Sequence, residues 1–394
     1  MRRPEQIAEA KKLLAHLSNR TTALADAIYR NPVKDYTCPL QAARERETFF
    51  RDGPINIGLS ALLPQAGDWM THDYTGVPIL IVRRADESLG AFLNVCRHRG
   101  ARLAEGCGTG KSGSGGARSF SCPYHGWTYG LDGSLVARPE EASFAAAERA
   151  THGLRMLPVV EKYGMIWVGP NPDRPLAVDT LLDGVADDLA AFGLGSYHHY
   201  ETRVLSREMN WKLAVDTFCE TYHLAYLHPD TVSPLFHNNR ANFAAFGRNH
   251  RMIAARRTLD ELRDQPEDAW DFFAHSAIIY VLFPNTVFLF QRDHVETWHI
   301  FPGERVDSCT MYVSLYIPEP AVSDSAKRHW DNNFNLLMAT VESQDFPTCE
   351  GMQRGFPSGA QESIVFGRNE PALQHFHRSI AAALAEPRQQ IAAE

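Results

Sequence analysis

Two short segments constrain this chain more than any other part of it. They read Cys96-Arg97-His98-Arg99-Gly100-Ala101 and Cys122-Pro123-Tyr124-His125-Gly126-Trp127. Each offers one soft thiolate and one borderline imidazole from a tight loop. Two such loops facing each other can hold a two-iron cluster unevenly, with two Cys on one iron and two His on the other. Neutral His in place of two thiolates removes negative charge and raises the reduction potential relative to a four-Cys cluster. Gly100 and Gly126 let backbone amides approach the sulfides closely. Structural zinc takes its ligands as Cys–Cys and His–His pairs a few residues apart, not as mixed Cys-x-His and Cys-x-x-His, which leaves zinc the minor alternative.

A second constellation lies in the run from Met209 to Pro229, which contains Asn210-Trp211-Lys212, Asp216, Glu220, Tyr222, His223 and His228. The pattern predicts a helix over 209–227. On a regular helix Glu220 and His223 share a face. His223 and His228 do not, because five residues turn about 140° around an ideal helix. Both reach one metal only if the helix distorts or ends between them, and Pro229 favours an ending there. Two neutral imidazoles plus one carboxylate form the facial arrangement for non-haem Fe(II), which leaves positions open for dioxygen. Taken alone, two His near a helix end are as well explained as surface or core residues.

The context separates these readings. The paired loops resemble the Rieske [2Fe–2S] motif, on its oxygenase branch. Respiratory Rieske proteins carry an extra Cys in each loop; here Tyr124 stands at one such position and Cys107 lies too far along for the other. The 209–229 run resembles the mononuclear-iron segment of Rieske non-haem iron ring-hydroxylating oxygenase large (α) subunits. The resemblance runs from about Arg44 to His377, with Gly367–His377 similar to the family's structural tail.

The resemblance implies that Cys96, His98, Cys122 and His125 bind the cluster. It implies that His223, His228 and an Asp from a late helix bind the iron. The matching late segment is 342–355, where Asp345 is the position carried over and Glu342 and Glu350 are its competitors. Glu220 matches a bridging carboxylate, usually Asp, that links His125 of one chain to His223 of the next in a homotrimer, with or without a β subunit. Asp216 either orients a His ligand or caps a loop. Electrons come one at a time from a ferredoxin or reductase, ultimately from NAD(P)H. No G-x-G-x-x-G after a strand is visible, so the reductase is another chain.

The implied activity is oxygenation of a small organic molecule with O2. The product is a cis-dihydrodiol if both oxygens enter, and a hydroxylated or dealkylated product if one does. The family accepts aromatic hydrocarbons, aromatic acids, methoxy and N-alkyl compounds and quaternary amines. Glu at the bridging position is similar to some quaternary-amine monooxygenases. Two other classes stay open: a Rieske electron carrier, which leaves the second constellation without purpose, and a zinc-stabilised ligand-binding module.

The implied fold is α+β: a Rieske all-β domain (49–172) inserted near the N-terminus of a helix-grip catalytic domain (1–48 and 173–394) with a twisted antiparallel sheet. The texture of the chain agrees. Residues 4–30 read as helix, ended by Asn31-Pro32. From 49 to 172 short β-rich runs alternate with Gly, Asp and Pro. Gly106–Ala117 reads as a flexible loop. Beyond Pro175, helical patterns (178–192, 209–227, 326–340) mix with strands (278–283, 286–290, 297–301, 310–317). The aromatic run Phe272, Phe273, Tyr280, Phe283, Phe288 and Phe290 is a candidate pocket lining. His294 and His299 read as satisfied or exposed rather than ligating, and Cys219 as a small buried hydrophobe. Cys38, Cys309 and Cys349 have no partner signal.

The net charge of −8 argues against nucleic acid and anionic membranes as partners. Within that acidic chain Arg97 and Arg99 flank the cluster loop, either solvated or docking an acidic donor. No apolar run reaches the length of a membrane span, and Met1-Arg2-Arg3-Pro4-Glu5 lacks a signal-peptide apolar region. Seven Cys, an odd number, suit a cytoplasmic location.

Overall fold

The computed structural model describes residues 1–108 and 118–386. They form two compact units. Among the described residues, one is 1–45 with 179–386 and the other is 46–178. No helix among the described residues is long and apolar enough to cross a membrane.

The larger unit is built on seven antiparallel strands: β1 (His198–Arg207), β2 (Phe236–Phe246), β3 (Asn249–Arg256), β4 (Ser276–Leu282), β5 (Thr286–Phe290), β6 (Val295–Pro302) and β7 (Cys309–Ile317), in the order β1-β7-β6-β5-β4-β3-β2. β4 and β5 are buried at every residue, which is why their sequences run as unbroken apolar stretches instead of alternating with polar residues. Side chains still alternate between the two faces. The register aligns Arg251, Tyr280, Phe288 and Thr297 in one row and Met252, Ile279, Leu289 and Glu296 in the next. The face of the first row packs on helices: Arg251 donates to Glu5, Glu9 and Asp188, and Phe192 stacks at 3.7 Å on Phe290, which shares that face with Phe288. The second row faces a cavity closed by the helix Asp324–Thr340.

The smaller unit holds three small antiparallel sheets. Val159–Lys162, Met165–Val168 and Ile55–Leu59 form one; Leu89–Leu93, Ile79–Arg83, Trp69–His72 and Cys107–Gly108 form the second; Ser119–Ser121, Thr128–Gly130 and Leu135–Ala137 form the third. Leu80, Val82, Phe92, Trp127 and Tyr129 make its core together with Cys96 and Cys122. The Gly-rich run Gly106–Ala117 lies, from residue 109, outside the described residues.

Three helical expectations are corrected. The pattern over 178–192 is two short helices, Val178–Leu181 and Ala186–Phe192, parted by a turn that holds Gly184 at φ +77°. The first helix spans Arg3–Asn19, not 4–30, because Arg20 turns left-handed and the next residues bond elsewhere: Ala23 N–H donates to Ala241 O at 2.9 Å. The helix read over 209–227 is two short ones, Trp211–Asp216 and Leu224–Leu227. Asn210 caps the former, its side chain accepting from Lys212 N–H at 3.1 Å.

That helix is anchored by a buried ion pair. Lys212 Nζ reaches both oxygens of Glu45 at 2.7 Å, Trp211 Nε1 donates to the same carboxylate at 2.9 Å, and both charged residues are 0% exposed. Lys212→Met leaves the Glu45 charge buried and unpaired, so denaturant unfolding should show a loss of about 3–5 kcal/mol. A Glu45→Leu, Lys212→Met double variant should recover much of it.

Candidate functional site

The two cluster loops are closed in the same way. Cys96 N–H donates to Ala101 O and Gly100 N–H to Cys96 O, at 2.8 and 2.9 Å; Cys122 N–H donates to Trp127 O and Gly126 N–H to Cys122 O, at 2.8 and 3.0 Å. Each closure needs a left-handed residue, and the glycines supply it with φ of +83° and +70°. At Gly100 a Cβ would meet nothing within 4 Å, so conformation rather than crowding selects glycine there. Both thiols are buried, while His98 and His125 are half-buried with ring centroids 4.7 Å apart. Trp127 stacks on His98 at 4.9 Å.

His98 Nδ1 is buried without a hydrogen-bond partner, as expected of a nitrogen reserved for a metal. Tyr129 was invisible to sequence reasoning. Its hydroxyl lies 3.3 Å from Cys96 Sγ and accepts from Arg97 N–H at 2.9 Å. Arg97 and Arg99 are exposed, and Arg99 lies 5.2 Å over the Tyr124 ring.

In the larger unit, His223, His228 and Asp345 offer ligand atoms that all lie within 4.8 Å of one another. The broken helix makes this possible. His223 precedes the turn Leu224–Leu227 and His228 follows it. Asp345 ends a π-helical turn, Val341–Asp345, set between the helices Asp324–Thr340 and Phe346–Gly355. Such turns are frequent at functional sites. Asp345 Oδ1 lies 3.1 Å from His228 Nε2 and 3.6 Å from His223 Nε2.

The opposite ring nitrogens are engaged elsewhere. Glu220 Oε1 accepts from His223 Nδ1, and Gln344 Oε1 accepts from His228 Nδ1 at 2.6 Å. This fixes both tautomers with Nε2 free for a metal. Burial works against a charged His228, but the hydrogen bonds to Asp345 and Gln344 outweigh it and raise its pKa. A proton is favoured where a cation would sit. Gln344, itself held by Thr231 at 3.0 Å, had no sequence signal beyond its place beside Asp345.

The other candidates are placed apart from the triad. Asp216 bonds Tyr36 at 2.7 Å and His377 at 2.8 Å, not either triad histidine. Glu342 pairs with Arg207 at 3.0 Å, and Glu350 accepts from Glu208 N–H at 3.2 Å. Glu220 is not on a helix; Oε2 accepts from the backbone N–H groups of Tyr222 and His223, tying the chain into the turn. Buried Cys219 lies against Val215 and His250.

The triad forms part of the lining of a cavity of about 420 Å³, whose apolar wall is mainly aliphatic. None of the six aromatic candidates lines it. Tyr280, Phe288 and Phe290 point to the helix-covered face of the sheet, a choice of face set by register.

Two family models match the chain. The Rieske [2Fe–2S] domain covers residues 55–160, and the catalytic domain of ring-hydroxylating α subunits covers 194–386. Choline monooxygenase of Beta vulgaris is 27% identical over 349 residues, 87% of this chain and 74% of that protein. The glycine betaine monooxygenase oxygenase subunit of Chromohalobacter salexigens is 31% identical over 204 residues, 52% of this chain and 44% of that one. Among solved structures, the quaternary ammonium Rieske monooxygenase CntA with L-carnitine superposes with a TM-score of 0.77 at 21% identity, covering 91% of this chain and 96% of that one. Naphthalene 1,2-dioxygenase from Rhodococcus sp. superposes at 0.70 and 18% identity, covering 95% and 97%.

The chain therefore belongs to the α subunits of the Rieske non-haem iron oxygenases. It is an oxidoreductase of mono- or dioxygenase type, and its two domains imply a [2Fe–2S] cluster and a mononuclear iron that uses O2.

Cys122→Ser should abolish the visible absorption of the cluster; an unchanged spectrum removes Cys122 from it. His223→Ala should keep that absorption and lower iron by about one per chain, with turnover lost.

Proposed function

We propose that this chain is a terminal oxygenase in which Cys96, His98, Cys122 and His125 hold the cluster and His223, His228 and Asp345 hold the iron. The observation that carries the reading is the facing of two Nε2 atoms and one carboxylate in the wall of a cavity. Two imidazoles and one carboxylate would hold an iron and leave positions free for dioxygen. When bound, the iron supplies dioxygen activation next to the substrate. The protein's part is to hold the rings, exclude water and place the substrate. Leu224, Val232, Leu337 and Val341 wall the cavity with apolar surface. Glu220 and Gln344 hold the rings through Nδ1 and fix their planes, so that each Nε2 faces Asp345.

Glu220 has a second part. A carboxylate offers about four acceptor sites, and three N–H donors of its own chain already use it. One site remains, enough for a single ring N–H from His125 of a neighbouring copy. This supports a homotrimer in which electrons pass between chains, from a separate ferredoxin or reductase fed by NAD(P)H. A solved relative is described in terms of inter-subunit electron transfer. All seven Cys are unpaired, which suits a reducing compartment such as the cytoplasm.

Purified protein should hold about three irons per chain, and a colourless zinc protein would overturn the reading. Labelled dioxygen with a surrogate reductase and a substrate panel would show whether one or two oxygens enter the product. Glu220→Gln should retain both metals and slow single-turnover electron delivery by about 10–100-fold. Unchanged transfer would leave Glu220 a local turn residue.

A further inference from the structure

Part of the cavity wall is polar. Glu296 stands in one register row with Met252, Ile279 and Leu289, and alternation puts Arg256 on the same face as Met252. Gln291, Arg292, Asp293 and His294, in the turn between the two strands, complete this part of the lining. Glu296 is 3% exposed, and its Oε1 lies 3.0 Å from His294 Nε2. His294 Nδ1 lies 2.8 Å from Asp293. Burial opposes charge on His294, but these two bonds outweigh it and push its pKa up to about 9. His294 therefore stands as an imidazolium between two carboxylates, and their charge is directed to it.

The lining holds two arginines: Arg292 is exposed, while Arg256 is half-buried and held in place. Its Nε donates to Ser276 O at 3.2 Å and its Nη2 to Gln291 Oε1, both neutral acceptors, and it forms no ion pair among the described residues. The guanidinium lies 4.9 Å over the Phe236 ring, which fixes its plane and covers that aromatic face. Burial pulls its pKa below the usual arginine value, with Asp293 and Glu296 too weakly placed to offset the loss. A half-buried cation tied down by neutral groups and facing a substrate cavity is an anion receptor lacking its anion.

Phe236 and Phe218 are the aromatic side chains of the lining. With Phe236 already stacked under Arg256, the cavity builds no aromatic cage for a quaternary ammonium. We infer that the substrate carries an anionic group, a carboxylate by preference, that Arg256 binds at the polar end while an apolar body lies along Met252, Ile279 and Leu289 toward the iron. Glu296 Oε2, buried without a partner, accepts from a hydroxyl or N–H beside that carboxylate. The inference rests on the reading of this cavity as the substrate site and makes Arg256 a specificity residue.

The test is calorimetric binding to iron-loaded protein of three probes with one apolar body: 4-isopropylbenzoate, 4-isopropylbenzamide and (4-isopropylbenzyl)trimethylammonium. The benzoate should bind about 10–100-fold more tightly than the amide, the range of a charge-assisted hydrogen bond. Arg256→Gln should bring the two within about twofold, and Arg256→Lys should keep part of the preference. Iron content and the visible spectrum, measured on the same samples, report that each variant is folded. Equal binding of acid and amide, tightest binding of the cation, no binding of any probe to protein with full iron, or an unchanged preference in Arg256→Gln overturns the inference and leaves the oxygenase reading intact. Protein that never takes up iron at the triad overturns both.

Discussion

The proposed iron site depends on what holds the far nitrogen of each histidine. An imidazole can ligate through either nitrogen, and a ring free to flip presents no defined site. Here Glu220 and Gln344 occupy both Nδ1 atoms, so both Nε2 atoms face Asp345. Glu220 does this from a turn that its second oxygen helps to form, and Gln344 from the residue before the ligand itself. Each orienting group is thus local to one ligand, while the ligands come from two segments more than 100 residues apart. What brings the segments together is the packed body beneath them: the capped helix Trp211–Asp216 pinned by Lys212 and Glu45, and the long helix Asp324–Thr340 closing the sheet.

The sheet supports two chemistries because it is buried on both faces. One face meets helices through Arg251 and a stack of aromatic rings; the other carries aliphatic residues that end in Arg256, Gln291 and Glu296. A strand alternates its side chains whatever their type, so bulky aromatic residues on one face leave small and aliphatic ones to shape the cavity on the other. The cavity is an outcome of that division, and its polar end is where the strands leave the aliphatic rows.

Much of the site was legible because metal chemistry limits residue type and spacing. Cys96, His98, Cys122 and His125 stand in two tight loops whose composition suits few groups. The fold class followed from the same residues through resemblance. Less was legible where geometry is set by distant partners. Periodicity alone extended the helix of Arg3–Asn19 through to residue 30, and it merged two short helices across Glu220, whose side chain instead bonds to Tyr222 and His223. The aromatic run looked like a pocket lining because a strand buried on both faces hides which residues point where. Asp216 looked like a partner of the iron ligands by proximity in sequence, and its carboxylate turns to Tyr36 and His377.

By itself the sequence determined the kinds of ligand present and the local loops that carry them, since a left-handed glycine after each Cys-x-His or Cys-x-x-His is a requirement of a few adjacent residues. Only the tertiary structure decided which nitrogen of each histidine faces the carboxylate, which face of each strand lines the cavity, and that the half-buried Arg256 there is held by neutral acceptors. Those depend on Gln344 reaching His228 and on carboxylates committing to His294 rather than Arg256, contacts between elements whose register and packing no local pattern encodes.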